Sequence, residues 1–169
     1  MPARTPSQTV GPYYAICLPW IDGEKVTGGR GARVVLAGRV LDGNGAPVND
    51  ALVETWQPLA GPIAPAANGK PHGFGRVGTS KDGTWRLETT MPERDPPFLG
   101  VVVLARGLLT ALHTRVYLAP EARVRADPSL SPIAASPRLA TLVAQPAAQG
   151  EWRWDIRLQG EGETLFFAP

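Results

Sequence analysis

The chain of 169 residues contains 19 glycines and 18 prolines, and they fall between short apolar runs instead of gathering in one low-complexity tract. That spacing leaves little room for long helices, because proline removes a backbone donor and glycine weakens any regular element it interrupts. Many short strands joined by turns remain. Residues 33–40 are rich in β-branched side chains, and Asp42-Gly43-Asn44-Gly45 then supplies a tight turn, so the pattern predicts a hairpin returning through residues 51–57. A second hairpin is predicted from residues 74–79 and 84–89 around Lys81-Asp82-Gly83. Residues 99–105 form a continuous apolar run and 114–118 a shorter one, both read as central strands. Trp152, Trp154, Ile156 and Leu158 alternate with polar residues, with one face for the core and the other for solvent or a second subunit. Only residues 121–126 favour a helix, which Asp127-Pro128 would end. The fold class is therefore all-β: an antiparallel β-sandwich with an extended N-terminal arm and at most short helices.

A chain of this length supports one well-filled core, and no shift in composition marks a second domain. We read residues 1–169 as a single sandwich domain, with an arm and extension over 1–30 and the sandwich proper over 31–169. The net charge of +2 is spread thinly, and the densest basic cluster is only Arg123 with Arg125. No basic stripe with interleaved aromatics is present, which argues against nucleic-acid binding. Cys17 is the single cysteine, so no intrachain disulfide and no cysteine-rich zinc site are expected, in keeping with a reducing, cytoplasmic setting. No apolar span or leader pattern points to a membrane.

Residues 5–14, reading Thr-Pro-Ser-Gln-Thr-Val-Gly-Pro-Tyr-Tyr, have no periodicity but are dense in conformation-fixing residues. Such a segment presents groups or lies over a neighbouring surface. The rest of the inventory for chemistry is sparse. His72 and His113 stand far apart, the tyrosines are Tyr13, Tyr14 and Tyr117, and no histidine pair has metal-ligand spacing. No serine elbow occurs, and Glu161 and Glu163 sit between turn glycines. Arg106 stands out, because it follows the apolar run 101–105 and precedes Gly107, delivering a planar fork of donors at the rim of a buried strand. An ordinary salt bridge is the competing reading of that arginine.

Several stretches carry a family resemblance. They are Thr5-Pro-Ser-Gln-Thr-Val-Gly-Pro-Tyr13, Asp42-Gly-Asn-Gly45, Val53-Glu-Thr-Trp-Gln57, Phe74-Gly-Arg76, Leu104-Ala-Arg-Gly107, His113-Thr-Arg-Val-Tyr117, and the run from Asp155 to Phe167. In that order the chain resembles the α subunits of intradiol ring-cleavage dioxygenases of the protocatechuate 3,4-dioxygenase kind. The resemblance implies a related sandwich without its own iron, paired with a β subunit that holds Fe(3+) through two tyrosines and two histidines. It implies cleavage of protocatechuate with O₂ to 3-carboxy-cis,cis-muconate, a higher αβ oligomer, and an isolated chain that is inactive. The ligand positions of that pattern are not filled here: residues 58–67 contain no tyrosine, residues 91–97 offer none, and the His-x-His stretch reads Phe98-Leu99-Gly100. The expected metal ligands on this chain are none. By resemblance Thr9, Gly11 and Pro12 of the arm and Arg106 contribute to the substrate cavity at the interface with β, and Tyr13 adjoins them. The loops 57–73 and 91–98 are shorter than in the family pattern, so a related catechol with a different acidic group stays open. Two alternatives stand beside this reading. One is a stand-alone β-sandwich binding or structural module that has lost the activity. The other is an iron site with relocated ligands from Tyr13, Tyr117, His72 and His113.

Overall fold

The computed structural model describes residues 5–59 and 71–168. Its strands are β1 (Arg33–Leu41), β2 (Leu52–Trp56), β3 (Phe74–Gly78), β4 (Thr84–Thr90), β5 (Phe98–Leu104), β6 (Leu112–Tyr117), β7 (Gln145–Pro146), β8 (Glu151–Arg153) and β9 (Ile156–Arg157). One sheet has the order β4-β1-β8-β7 with β9 also on β1, and the other has the order β3-β2-β5-β6. Between them lie Leu36, Val40, Val53, Leu87, Leu99, Val103, Val116 and Ile156, all fully buried. The expected sandwich is present, and every pairing is antiparallel except those of β1 with β8 and β9, which are parallel.

Neither expected hairpin forms. The turn after β1 is real: Asp42 N–H donates to the Ala46 carbonyl at 2.9 Å, the Asp42 carboxylate takes the Asn44 and Ala46 N–H groups, and Gly45 has φ +80. Pro47 has no N–H to extend the ladder, so after Val48 bonds back to Val40 the chain crosses to the opposite sheet. The turn at Ser80–Thr84 is likewise tight, yet β3 pairs with β2 while β4 pairs with β1 from Arg33↔Thr90 to Arg39↔Thr84. Both turns thus join sheets instead of neighbouring strands. The alternation in these strands is compatible with either course, because a one-sided apolar face serves any sheet that faces the core.

β5 is central, as its apolar run predicts, but only one face is fully buried. β6 is an edge strand, contrary to expectation, and its outer side is protected by isolated bridges to Phe167 and Val143. The tryptophan alternation serves the core: Trp154 and Ile156 are buried, Trp152 is half-buried, and Trp154 meets Trp85 edge-to-face at 6.2 Å. The predicted helix is α2 (Glu121–Arg125). It is followed by two short 3-10 helices, Pro128–Ile133 and Pro137–Leu142, beyond the Asp127-Pro128 stop. Their Leu130, Leu139 and Leu142 join Phe98, Tyr117 and Val124 in a second core cluster beyond the β5–β6 edge. Each 3-10 helix starts with proline at N1 and is capped by the residue before it, Asp127 or Ser136.

The extension closes the other side of the sandwich. Gly23 and Thr27 carbonyls accept from Arg76 and Gly73 on the β3 side, while Glu24 and Val26 exchange hydrogen bonds with Glu88 of β4, all four at 2.8 Å. One segment therefore covers the β3 edge of one sheet and the β4 edge of the other.

Candidate functional site at the N-terminal arm

The arm runs onto the end of β5. Gln8 and Val10 pack with Leu104, Ala105, Leu108, Thr110 and Ala111 around a cavity of about 20 Å³. Beyond β5 the chain turns through Arg106 and Gly107, closed by Leu108 N–H to the Ala105 carbonyl at 3.3 Å. Gly107 has φ +86, a conformation that side chains disfavour, so glycine is required there to hold Arg106 at the corner. Thr9 ties the arm to this corner: its hydroxyl oxygen accepts the Gly107 N–H at 3.0 Å.

Pro12 lies in a second turn, closed by Tyr14 N–H to the Gly11 carbonyl at 3.3 Å, which opens the one-turn helix α1 (Tyr14–Cys17). The turn sends the two tyrosines in opposite directions. Tyr14 is buried and donates its hydroxyl to the Asp50 backbone carbonyl, whereas Tyr13 is 70% exposed. The Asp50 carboxylate in turn receives Nε–H of Arg106. Burial pushes the Tyr14 phenol above its ordinary range, the Asp50 charge adds to this, and Arg106 works in the opposite direction.

Thr9 and Arg106 are thus brought to one corner, with Gly11, Pro12 and Tyr13 on the adjoining turn. Asp50 and Tyr14 complete the cluster, and the sequence reading singled out neither. Asp50 follows Asn49 in a polar step between strands and signals only a turn; its contacts are 36 and 56 residues away. Tyr14 lay within the arm, but nothing local says which tyrosine turns inward. A Cβ built on Gly11 meets nothing within 4 Å, so this chain's own packing does not require a glycine there. Tyr13, Ile16 and Ile21 stand 70%, 74% and 86% exposed along the same segment, and Leu109 beside the corner is 66% exposed.

The remaining candidate ligands do not converge on this corner. His72 faces Thr27, with Nδ1 3.1 Å from the hydroxyl, and His113 is exposed on β6. Tyr117 is buried and donates to Asp127 at 3.0 Å. Among the described residues no three His, Cys, Asp or Glu side chains come together as a metal site. Phe98 and Leu99, at the strand positions of the His-x-His stretch, are buried apolar residues. Residues 60–67 of the segment read as lacking a tyrosine ligand lie outside the described residues.

No family model matches the chain. The protocatechuate 3,4-dioxygenase alpha chain of Burkholderia cepacia is 39% identical to it over 199 residues, covering 97% of this chain and 96% of the relative. This chain belongs to the protocatechuate 3,4-dioxygenase α-chain family. The α chain of Pseudomonas putida is 37% identical over 192 residues, again with 97% and 96% coverage. Both aligned spans exceed the 169 residues present, so this α chain lacks positions that its relatives fill. Among solved structures, the dioxygenase domain of a carbohydrate-binding fusion from Streptomyces sp. SirexAA-E matches with a TM-score of 0.57 at 22% identity, over 94% of this chain and 99% of its own. Hydroxyquinol 1,2-dioxygenase from Pseudomonas putida DLL-E4 matches with a TM-score of 0.56 at 20% identity, over 92% and 67%. These two share the fold. Membership of the α-chain family implies a heteromer with a partner subunit and non-haem iron in the enzyme. The described donors of this α chain do not fit such an ion, so no chemical step is assigned to iron on it. Among the described residues no helix is long and apolar enough to cross a membrane.

Proposed function

We propose that this chain is the non-catalytic α subunit of a ferric intradiol dioxygenase. In this reading the enzyme cleaves protocatechuate with O₂ to 3-carboxy-cis,cis-muconate, and the iron sits on a β-type partner. The observation that carries it is the arm latched to the Arg106 corner, with open space at Gly11 and an exposed apolar edge at Tyr13, Ile16 and Ile21. Three large apolar side chains left exposed within one short segment support a surface that another chain covers. Thr9, Gly11, Pro12, Tyr13 and Arg106 then form one wall of a cavity completed by the partner. Gly11 lets that wall lie close to a flat ring, Pro12 keeps it rigid, and Arg106 stabilises negative charge once the partner excludes water. The enzyme functions in the cytoplasm as a higher αβ oligomer, and the reaction needs neither nucleic acid nor membrane. A stand-alone module that has lost the activity would have no use for this composite edge.

Co-expression with an iron-bearing β-type subunit tests the proposal. The expected result is a complex that consumes O₂ with protocatechuate, while the chain purified alone is inactive. Absence of a complex, or a complex that leaves protocatechuate intact, overturns it.

A further inference from the structure

The side chain that holds Arg106 does so through one edge of the guanidinium only. Asp50 takes Nε–H, and neither Nη1 nor Nη2 has a partner among the described residues. The arm meets the same position through the backbone, where the Asp50 carbonyl receives the Tyr14 hydroxyl whatever the side chain there, and Thr9 joins arm to corner a second time through Gly107. From the reading of Arg106 as a substrate-side group just given, on which this step rests, we propose that Asp50 is the positioning residue of the site. It commits the guanidinium to presenting its two terminal nitrogens to a carboxylate or enolate oxygen of the aromatic substrate.

The chemistry follows from the fork. A guanidinium can offer either the Nε–Nη edge or the Nη–Nη edge to a bidentate acceptor, and the two differ in direction. With Nε engaged, only the terminal edge remains, so its direction is set before substrate arrives and little rotamer freedom is lost on binding.

The test is a double-mutant cycle on the complex with the iron-bearing subunit, using Asp50→Ala, Asp50→Glu, Arg106→Ala and the Asp50→Ala/Arg106→Ala pair. Asp50→Ala is expected to lower kcat/KM for protocatechuate by about tenfold to a hundredfold. Asp50→Glu recovers part of that loss, and the double variant is no worse than Arg106→Ala alone. Losses that multiply in the double variant, or an Asp50→Ala enzyme equal to wild type, overturn the proposal. A second readout needs no partner: in the full chain alone, the Arg106 Nε–H is expected as a slowly exchanging proton by NMR, lost in Asp50→Ala. Its absence in the wild-type chain also overturns the proposal. If that proton is present while the wild-type complex leaves protocatechuate intact, the underlying reading fails and takes the positioning role with it. If the complex is active and responds to Arg106→Ala but not to Asp50→Ala, only the role of Asp50 fails.

Discussion

Two buried hydroxyl groups shape the alkaline response of this chain at the residue scale. Burial raises the Tyr14 phenol, and it raises that of Tyr117 as well, where the Arg115 contact works in the opposite direction. A phenol raised in the folded state keeps its proton where the unfolded chain releases it, from about pH 10 upward. Its contribution is complete below that value and is lost as pH rises through the folded value, so alkaline unfolding should begin above about pH 10. Tyr14→Phe should cost about 1 kcal/mol in denaturant unfolding at neutral pH, because it removes the bond to the Asp50 carbonyl, and should soften that alkaline loss. Asp127 sets the acid side. Burial would raise its carboxyl, but Ser129 N–H at 2.9 Å, the Tyr117 hydroxyl at 3.0 Å and Arg94 together hold it below the usual range. A carboxyl lowered in this way stabilises the fold above its unfolded pKa of about 4, and that stability is lost as pH falls through the folded value. Asp127→Asn should destabilise by about 1–3 kcal/mol at pH 7 and flatten the acid limb of a stability–pH curve.

Among the elements, β1 carries the tightest constraint, because it pairs on both sides and Gly38 sits directly beneath the bend between β8 and β9. A Cβ on Gly38 would lie 1.8 Å from the Trp154 carbonyl oxygen, a backbone atom that cannot rotate away. Gly38→Ala should therefore destabilise by about 2–3 kcal/mol, read as a lowered denaturant midpoint with m unchanged. The strands themselves were legible, since period-two alternation at Trp154 and Ile156 and the apolar run of β5 are set by which face meets the core. Partnership was not. A turn such as Asp42–Ala46 has the same local chemistry whether it joins neighbours or crosses between sheets, and only Pro47 hinted at the crossing. The 3-10 helices escape a periodicity argument because each is only six residues long, so the single i, i+3 pairs Leu130/Ile133 and Leu139/Leu142 do not establish a repeat. At the site, Thr9 and Arg106 were visible through motif, whereas Asp50 is defined wholly by contacts distant in sequence.

On the scale of the whole molecule, the proposed function assigns the exposed Tyr13, Ile16 and Ile21 to assembly with the partner, not to the fold of this chain. Ile16→Glu is expected to leave the thermal midpoint of the isolated chain within about a degree or two, since the residue is 74% exposed. It should abolish co-purification with the β-type subunit, and retention of the complex would show that this edge is not the interface. Arg106→Ala should do the reverse, keeping the complex while lowering turnover. The crossing turns carry a further consequence for how the protein is made. No tight turn among the described residues closes the long ladders of β1, so β1 waits for β4, then for β8 and β9 more than 110 positions downstream. A ribosome must therefore release nearly the whole chain before the first sheet can close, and until then one edge of β1 lacks its native partners.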